Sequence, residues 1–230
     1  MSKKRNKKGE CVYCGKIEFI TKDHIPPKCL FSKPRPNNLI SVPSCESCRI
    51  KYTKDDEYFK NMLTLRIDAF NHPEAKKIIP SVIRSYEKKH KIGFQKSLFD
   101  NLREVELRTK SGLIVGKTGA YNVDFDRLNV VVKRIIEGLF YKEKGQRLPN
   151  THYVLAYSDT AVNLSPESKI KTTIISPLLN KEPTVFGDEI FTYRFSFTQD
   201  DPFSSAWLMF FFKSIYFVGL TLKSCIRSET

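Results

Sequence analysis

A chain of 230 residues with 40% hydrophobic content, 17 Phe and 10 Tyr can bury a substantial core in one large domain or two small ones, which excludes a disordered chain. Its formal net charge of +14 favours a polyanionic partner, nucleic acid first and anionic lipid second, the bland alternative being a basic surface kept for solubility. Five of the six cysteines fall in the first 48 residues, at metal-ligand spacing and without a secretory leader, which argues for a reducing, cytoplasmic setting and against a disulfide framework.

In chain order, residues 1–9 read as a basic disordered tail, a charge run that is no signal peptide and could contact phosphate. Cys11-Val12-Tyr13-Cys14 and Cys45-Glu46-Ser47-Cys48 then form two C-x-x-C knuckles. Thiolates spaced this way can share one tetrahedral zinc ion, which would supply on the order of 10–16 kcal/mol to a loop too small to fold by itself. Between the knuckles a strand is predicted over Phe19–His24, stopped by Pro26-Pro27. A basic, turn-rich loop follows at 33–37, then a second strand over Leu39–Val42. A helix begins at or soon after the second knuckle, with Thr53 as N-cap and Asp55, Asp56 and Glu57 in its first turn. Tyr58, Phe59, Met62, Leu63 and Ile67 recur at helical spacing and should face a core.

A helix restarts at His72-Pro73-Glu74 and runs to about His90, kinked or divided near Pro80, and a short helix is expected over Phe94–Asn101. Val105–Thr109 and Leu113–Val123 alternate around Ser111-Gly112 like a hairpin. Phe125–Lys144 is an amphipathic helix ended by Gly145. Strands are predicted at Tyr153–Tyr157, Lys171–Ile175 and Glu189–Thr198. The apolar run Ala206–Leu222 is interrupted by Lys213-Ser214 and reads as two buried strands, not a membrane span. The expectation is α+β with a mostly antiparallel sheet: tail 1–9, a zinc-bound module 10–60, a helical connector 61–101, and an α+β domain 102–230 of unknown role.

Strand, strand, helix with a C-x-x-C at each corner and Asp23-His24 on the first strand resembles the HNH (ββα-metal) endonuclease family. The likeness rests on Cys11-x-x-Cys14, Asp23-His24, Asn38-Leu39-Ile40, Cys45-x-x-Cys48 and Lys54-Asp55-Asp56-Glu57-Tyr58-Phe59, within roughly residues 10–60. It implies that Cys11, Cys14, Cys45 and Cys48 hold a structural zinc outside the chemistry. His24 would be the general base that activates water against a phosphodiester, work suited to an imidazole. Asp23 would bind one catalytic Mg²⁺ or Mn²⁺, and Asn38 would hold the loop that positions the base. DNA is the implied substrate, in restriction or phage defence. Strand neighbours face opposite ways, so Asp23 and His24 can share a site only if the strand ends or bulges there.

One position departs from that pattern. The family usually places Asn or His, a second metal ligand, directly after the last knuckle cysteine; here the residue is Arg49, which has no lone pair to offer. Three outcomes stay open. The ion is held by Asp23, phosphate and water; or Asp55 or Asp56 substitutes, although Asp56 would lie about 10 Å along a continuous helix from Arg49; or the site is inactive or metal-free and Arg49 grips phosphate.

Lys28, Lys33 and Arg35 beside Asp23-His24 suit phosphate contacts as well as a solvated loop. Cys29 reads as a spare buried thiol and Cys225 as unpaired. His72 reads as a helix-start residue, and His90 and His152 have no evident partner. The rival functions are a nucleic-acid-binding protein that kept the zinc scaffold without cleavage, and an adaptor or dimer working through the aromatic carboxy-terminal sheet.

Overall fold

A computed structural model describes residues 7–86, 102–109, 111–164 and 170–224. The first unit is a three-stranded antiparallel sheet, β1 (Lys8–Glu10), β2 (Ile17–Ile25) and β3 (Ile40–Cys45), in the order β1-β2-β3. The β2–β3 ladder is regular, from Ile20 opposite Cys45 to Ile25 opposite Ile40. Part of the expected tail is therefore structured, since Lys8 pairs with Phe19.

Helix α1 (Glu46–Thr64) follows β3 with no linker, capped by Cys45, so it starts earlier than an N-cap at Thr53 would allow. Thr53 lies inside the helix and donates its hydroxyl to the Arg49 carbonyl at 3.1 Å. A 3₁₀ turn (Ile67–Ala69) leads to α2 (Pro73–Tyr86), which contains Pro80 without being divided by it. Strands β4 (Arg103–Arg108) and β5 (Ile114–Ala120) form the expected hairpin. Helix α3 (Phe125–Lys144) starts where Asp124 accepts the Arg127 N–H at 3.2 Å and ends at left-handed Gly145.

After α3 come β6 (His152–Ser158), the short helix α4 (Asp159–Leu164), a π turn (Lys171–Ile175) running into α5 (Ser176–Leu179), and β7 (Thr184–Phe186), β8 (Phe191–Phe197), β9 (Ser205–Phe211) and β10 (Ile215–Lys223). These strands make one antiparallel sheet in the order β6-β10-β9-β8-β7. The strand expected at 171–175 is helical. Its Thr and Ile content suits a strand by propensity, but Ile170, Ile174 and Ile175 pack on Leu208 and Val218 at the back of the sheet, and tertiary contact overrides the preference. The run at 206–222 is the expected strand pair, and among the described residues no helix is long and apolar enough to cross a membrane. The helix expected over 94–101, His90 and Cys225 lie outside the described residues.

Helix α3 ties the two sheets together. Its buried row, which includes Val131, Val132, Ile135, Ile136, Leu139 and Phe140, belongs to one cluster with Val12 and Ile25 of the first unit and Tyr193, Trp207 and Phe217 of the larger sheet, where Phe59 of α1 also meets Phe217 directly at 5.7 Å. Two glycines set the approach distance. A Cβ on Gly138 would lie 2.5 Å from Ile25, and one on Gly219 of β10 would lie 2.2 Å from Ile136. Either side chain would force the layers apart. The chain is thus mixed helix and antiparallel sheet, with α3 placed to reach the end of the β2–β3 hairpin.

Candidate metal centre and the cleft beside it

The first knuckle is a tight turn in which Cys11 N–H donates to Lys16 O and Gly15 N–H donates to Cys11 O, each at 2.9 Å. Gly15 has φ +71°, and a side chain there would strike the Arg147 guanidinium. In the second knuckle Cys45 caps α1 and Cys48 sits in its first turn, where free amides and the helix dipole favour thiolates. The four sulfurs all lie within 4.8 Å of one another, with Cys14 Sγ and Cys45 Sγ 3.7 Å apart. Sulfurs about 2.3 Å from one tetrahedral ion would be about 3.8 Å apart, so this donor set fits zinc.

Their acidities point the same way. Burial, with help from neighbouring sulfurs, pushes the Cys14 and Cys48 thiols up. Burial opposes ionisation of Cys45 too, yet the Ser47 hydroxyl at 3.1 Å and the Cys48 amide draw it down to about 6. Four crowded thiols cannot all ionise alone, and a divalent ion removes that conflict.

Next to this cluster lies a cleft of about 430 Å³. The end of β2 contributes Lys22, Asp23 and His24, and the turn after it Pro27, Lys28 and Cys29. One face of α1 supplies Arg49, Thr53, Asp56, Glu57 and Lys60, spaced three or four apart except for the adjacent pair Asp56-Glu57. The ladder has no bulge at Asp23-His24, but the strand stops at Ile25 and the cleft lies around its end, so buried Asp23 and half-buried His24 both line it. Burial lowers the His24 pKa below its ordinary value, Lys28 lowers it further, and Asp23 opposes the shift. The shift favours the neutral ring, whose lone pair can accept a proton.

Asp23 is closely held. The Tyr13 hydroxyl, between the two cysteines of the first knuckle, donates to its Oδ2 at 2.7 Å. Arg134 of α3 places Nε 3.7 Å from the same oxygen and Nη2 2.5 Å from Asp56 Oδ1. Only 1% of the Arg134 side chain is exposed, and its guanidinium lies 4.8 Å from the centre of the Tyr52 ring. Burial pushes the Asp56 carboxyl up to about 6 against the pull of Arg134.

The remaining predicted residues scatter. Arg35 is close enough to depress His24 and donates from Nε to Lys28 O at 3.1 Å, but it lines a second, wider groove together with Asn38, His72, Asp188 and Lys213. Asn38 does not line the His24 cleft, and exposed Lys33 lines neither recess. Arg49 lines the cleft and pairs with Glu46. Asp55 turns away to Arg127 at 2.8 Å. Burial pushes the Cys29 thiol up to about 12. His72 stands at the start of α2 as read, accepting the Glu74 N–H at Nδ1, with Nε2 3.1 Å from Asp188 O; His152 does have a partner, its Nε2 lying 2.7 Å from Asp201 Oδ2.

A hard divalent ion fits the cleft poorly. Arg49 offers no lone pair, Asp23 and Asp56 already face Arg134, and the four cysteines are the one close group of three or more candidate ligands among the described residues. Sequence reasoning missed Tyr13 and Arg134. The available signal was Arg134 itself, a charge three residues after Val131 and four before Gly138 on an apolar stripe.

No family model matches the chain, and neither does any curated protein or solved structure.

Proposed function

We propose that the chain is an HNH-like endonuclease, with residues 10–60 as its zinc-stapled ββα module, that hydrolyses DNA phosphodiester bonds with His24 as general base. The observation that carries this reading is the meeting of His24 and Asp23 with Lys22, Lys28, Arg49 and Lys60 in one cleft beside the Cys11, Cys14, Cys45, Cys48 cluster. Cations around the recess attract a phosphodiester, and the lowered His24 pKa keeps its imidazole ready to take a proton from water. Tyr13 orients Asp23 by a hydrogen bond, and the Arg134 charge lies 3.7 Å behind the same oxygen. Asp23 would be the residue to hold Mg²⁺ or Mn²⁺ as a Lewis acid for the phosphate, and the poor fit of the cleft to such an ion would make that hold weak. The zinc would be structural. Restriction or phage defence is the setting that such an activity suggests.

The second reading is a nucleic-acid-binding protein without cleavage. It is favoured by Arg49 in the cleft and by Arg134 on both acids. Plasmid nicking with Mg²⁺ or Mn²⁺ separates the two. The wild type should nick, and His24→Ala should lose at least ~100-fold in rate while still binding DNA at low salt. Salt-dependent binding with no nicking by the wild type would select the second reading.

A further inference from the structure

We propose that Arg134 is a positioning residue that sets the cation affinity of the cleft: by neutralising Asp23 and Asp56 from behind, it keeps the unliganded cleft from holding a divalent ion tightly. The proposal extends the nuclease reading of the His24 cleft.

Arg134 comes from α3, outside the β2–β3–α1 unit, and reaches its acids from the core side. A guanidinium stays charged under all ordinary conditions, so its effect on the two carboxylates is permanent. The pairing is also incomplete. Nε is buried and makes no hydrogen bond, because 3.7 Å to Asp23 is too long for one. Asp23 thus stands between two claims, a short bond from Tyr13 and an unsatisfied N–H behind it. The Tyr52 ring beside the guanidinium and the apolar neighbours Val131 and Ile135 leave that N–H no other described partner. The cleft lining also holds Lys22, Lys28, Arg49 and Lys60, with Glu57 as the one further acid, and these cations also oppose entry of a bare cation. Removing the Arg134 charge would leave two carboxylates near each other, a pair that must either take up a proton or gain a cation.

Titration of the zinc-loaded protein with Mn²⁺ alone, followed by calorimetry or by the paramagnetic signal of free Mn²⁺, tests this without reference to cleavage. Arg134→Gln should bind Mn²⁺ at least ~10-fold tighter than the wild type, and the gain should vanish in Arg134→Gln with Asp56→Asn. Arg134→Lys retains the charge in case the Gln variant does not fold; a point charge can serve only one acid at a time, so part of the gain, roughly threefold, should appear. Mn²⁺ affinity unchanged in every variant that folds would overturn the proposal and leave Arg134 a structural ion-pair residue. If the wild type fails to nick DNA but the Mn²⁺ gain appears, the nuclease reading falls and the role of Arg134 stands.

Discussion

The Tyr13 hydroxyl donates a 2.7 Å hydrogen bond to Asp23 Oδ2, and this bond joins the four-cysteine cluster to the cleft. Tyr13 lies between Cys11 and Cys14, so the turn that presents two sulfurs also fixes the carboxylate beside His24. Its ring meets Tyr52 of α1 edge-on at 5.8 Å, which leaves the hydroxyl little freedom. Tyr13→Phe keeps the ring and removes the bond. It should cost about 1–2 kcal/mol in denaturant unfolding and slow nicking, with zinc content unchanged. Equal activity in the Phe variant would mean that Arg134 orients Asp23 unaided.

The four-sulfur arrangement predicts one zinc per chain by elemental analysis. Cys45→Ser should lose it, because Cys45 is at once a member of the sulfur cluster, the last residue of β3 and the N-cap position of α1. With on the order of 10 kcal/mol of binding free energy withdrawn, β1–β3 should lose protection from proteolysis before the five-stranded sheet does. Cys29→Ser, outside the cluster, should keep one zinc; a fall in zinc content there would show that the ligand set is misassigned.

Local chemistry made much of this legible in the sequence. The knuckle spacing identified the four cysteines, and Gly145 and the apolar period identified α3. The break at Lys213-Ser214 identified the β9–β10 pair. What escaped depends on contacts distant in sequence. The helix start at the second knuckle is legible, but Thr53 reads as its N-cap because three acids follow it; Asp55 and Asp56 serve Arg127 and Arg134 of α3 instead, and Cys45 occupies the cap position. Lys171–Ile175 has strand composition and helical structure because its isoleucines cover the back of a sheet built from much later residues. Asn38, expected to hold the loop that positions the base, lines the neighbouring groove and not the His24 cleft itself.

Glu137, three residues after Arg134, gives a stability test that does not need a substrate. Burial pushes its carboxyl up from 4.5 to about 7, although Arg147 and Arg134 pull the other way. A raised carboxyl binds its proton more tightly in the folded state, so its contribution is complete below the unfolded pKa and is lost as pH rises through about 7. Glu137→Gln removes that titration. Relative to the wild type it should gain stability between pH 5 and pH 8, by on the order of 3 kcal/mol, in urea unfolding at the two pH values. A difference that does not change with pH would show that the two arginines keep Glu137 ionised.

Arg49 decides how well the cleft can work. It sits in the first turn of α1, 45% exposed at the side chain, and its one ion pair among the described residues is with Glu46 in the same turn. Replacing it should therefore change stability by no more than ~0.5 kcal/mol, which leaves activity as the informative readout. Arg49→Asn exchanges a fixed positive charge for an amide whose oxygen can face a cation. If Arg49 impairs the site, the Asn variant should nick DNA roughly tenfold faster at limiting Mn²⁺, with a smaller advantage at saturation, because the gain lies in metal retention. We expect that outcome, since Asp23 and Asp56 are already engaged by Arg134 and an added neutral ligand relieves the shortage. A slower variant with weaker, less salt-dependent DNA binding would instead assign the guanidinium to a phosphate, where two parallel hydrogen bonds serve better than any amide.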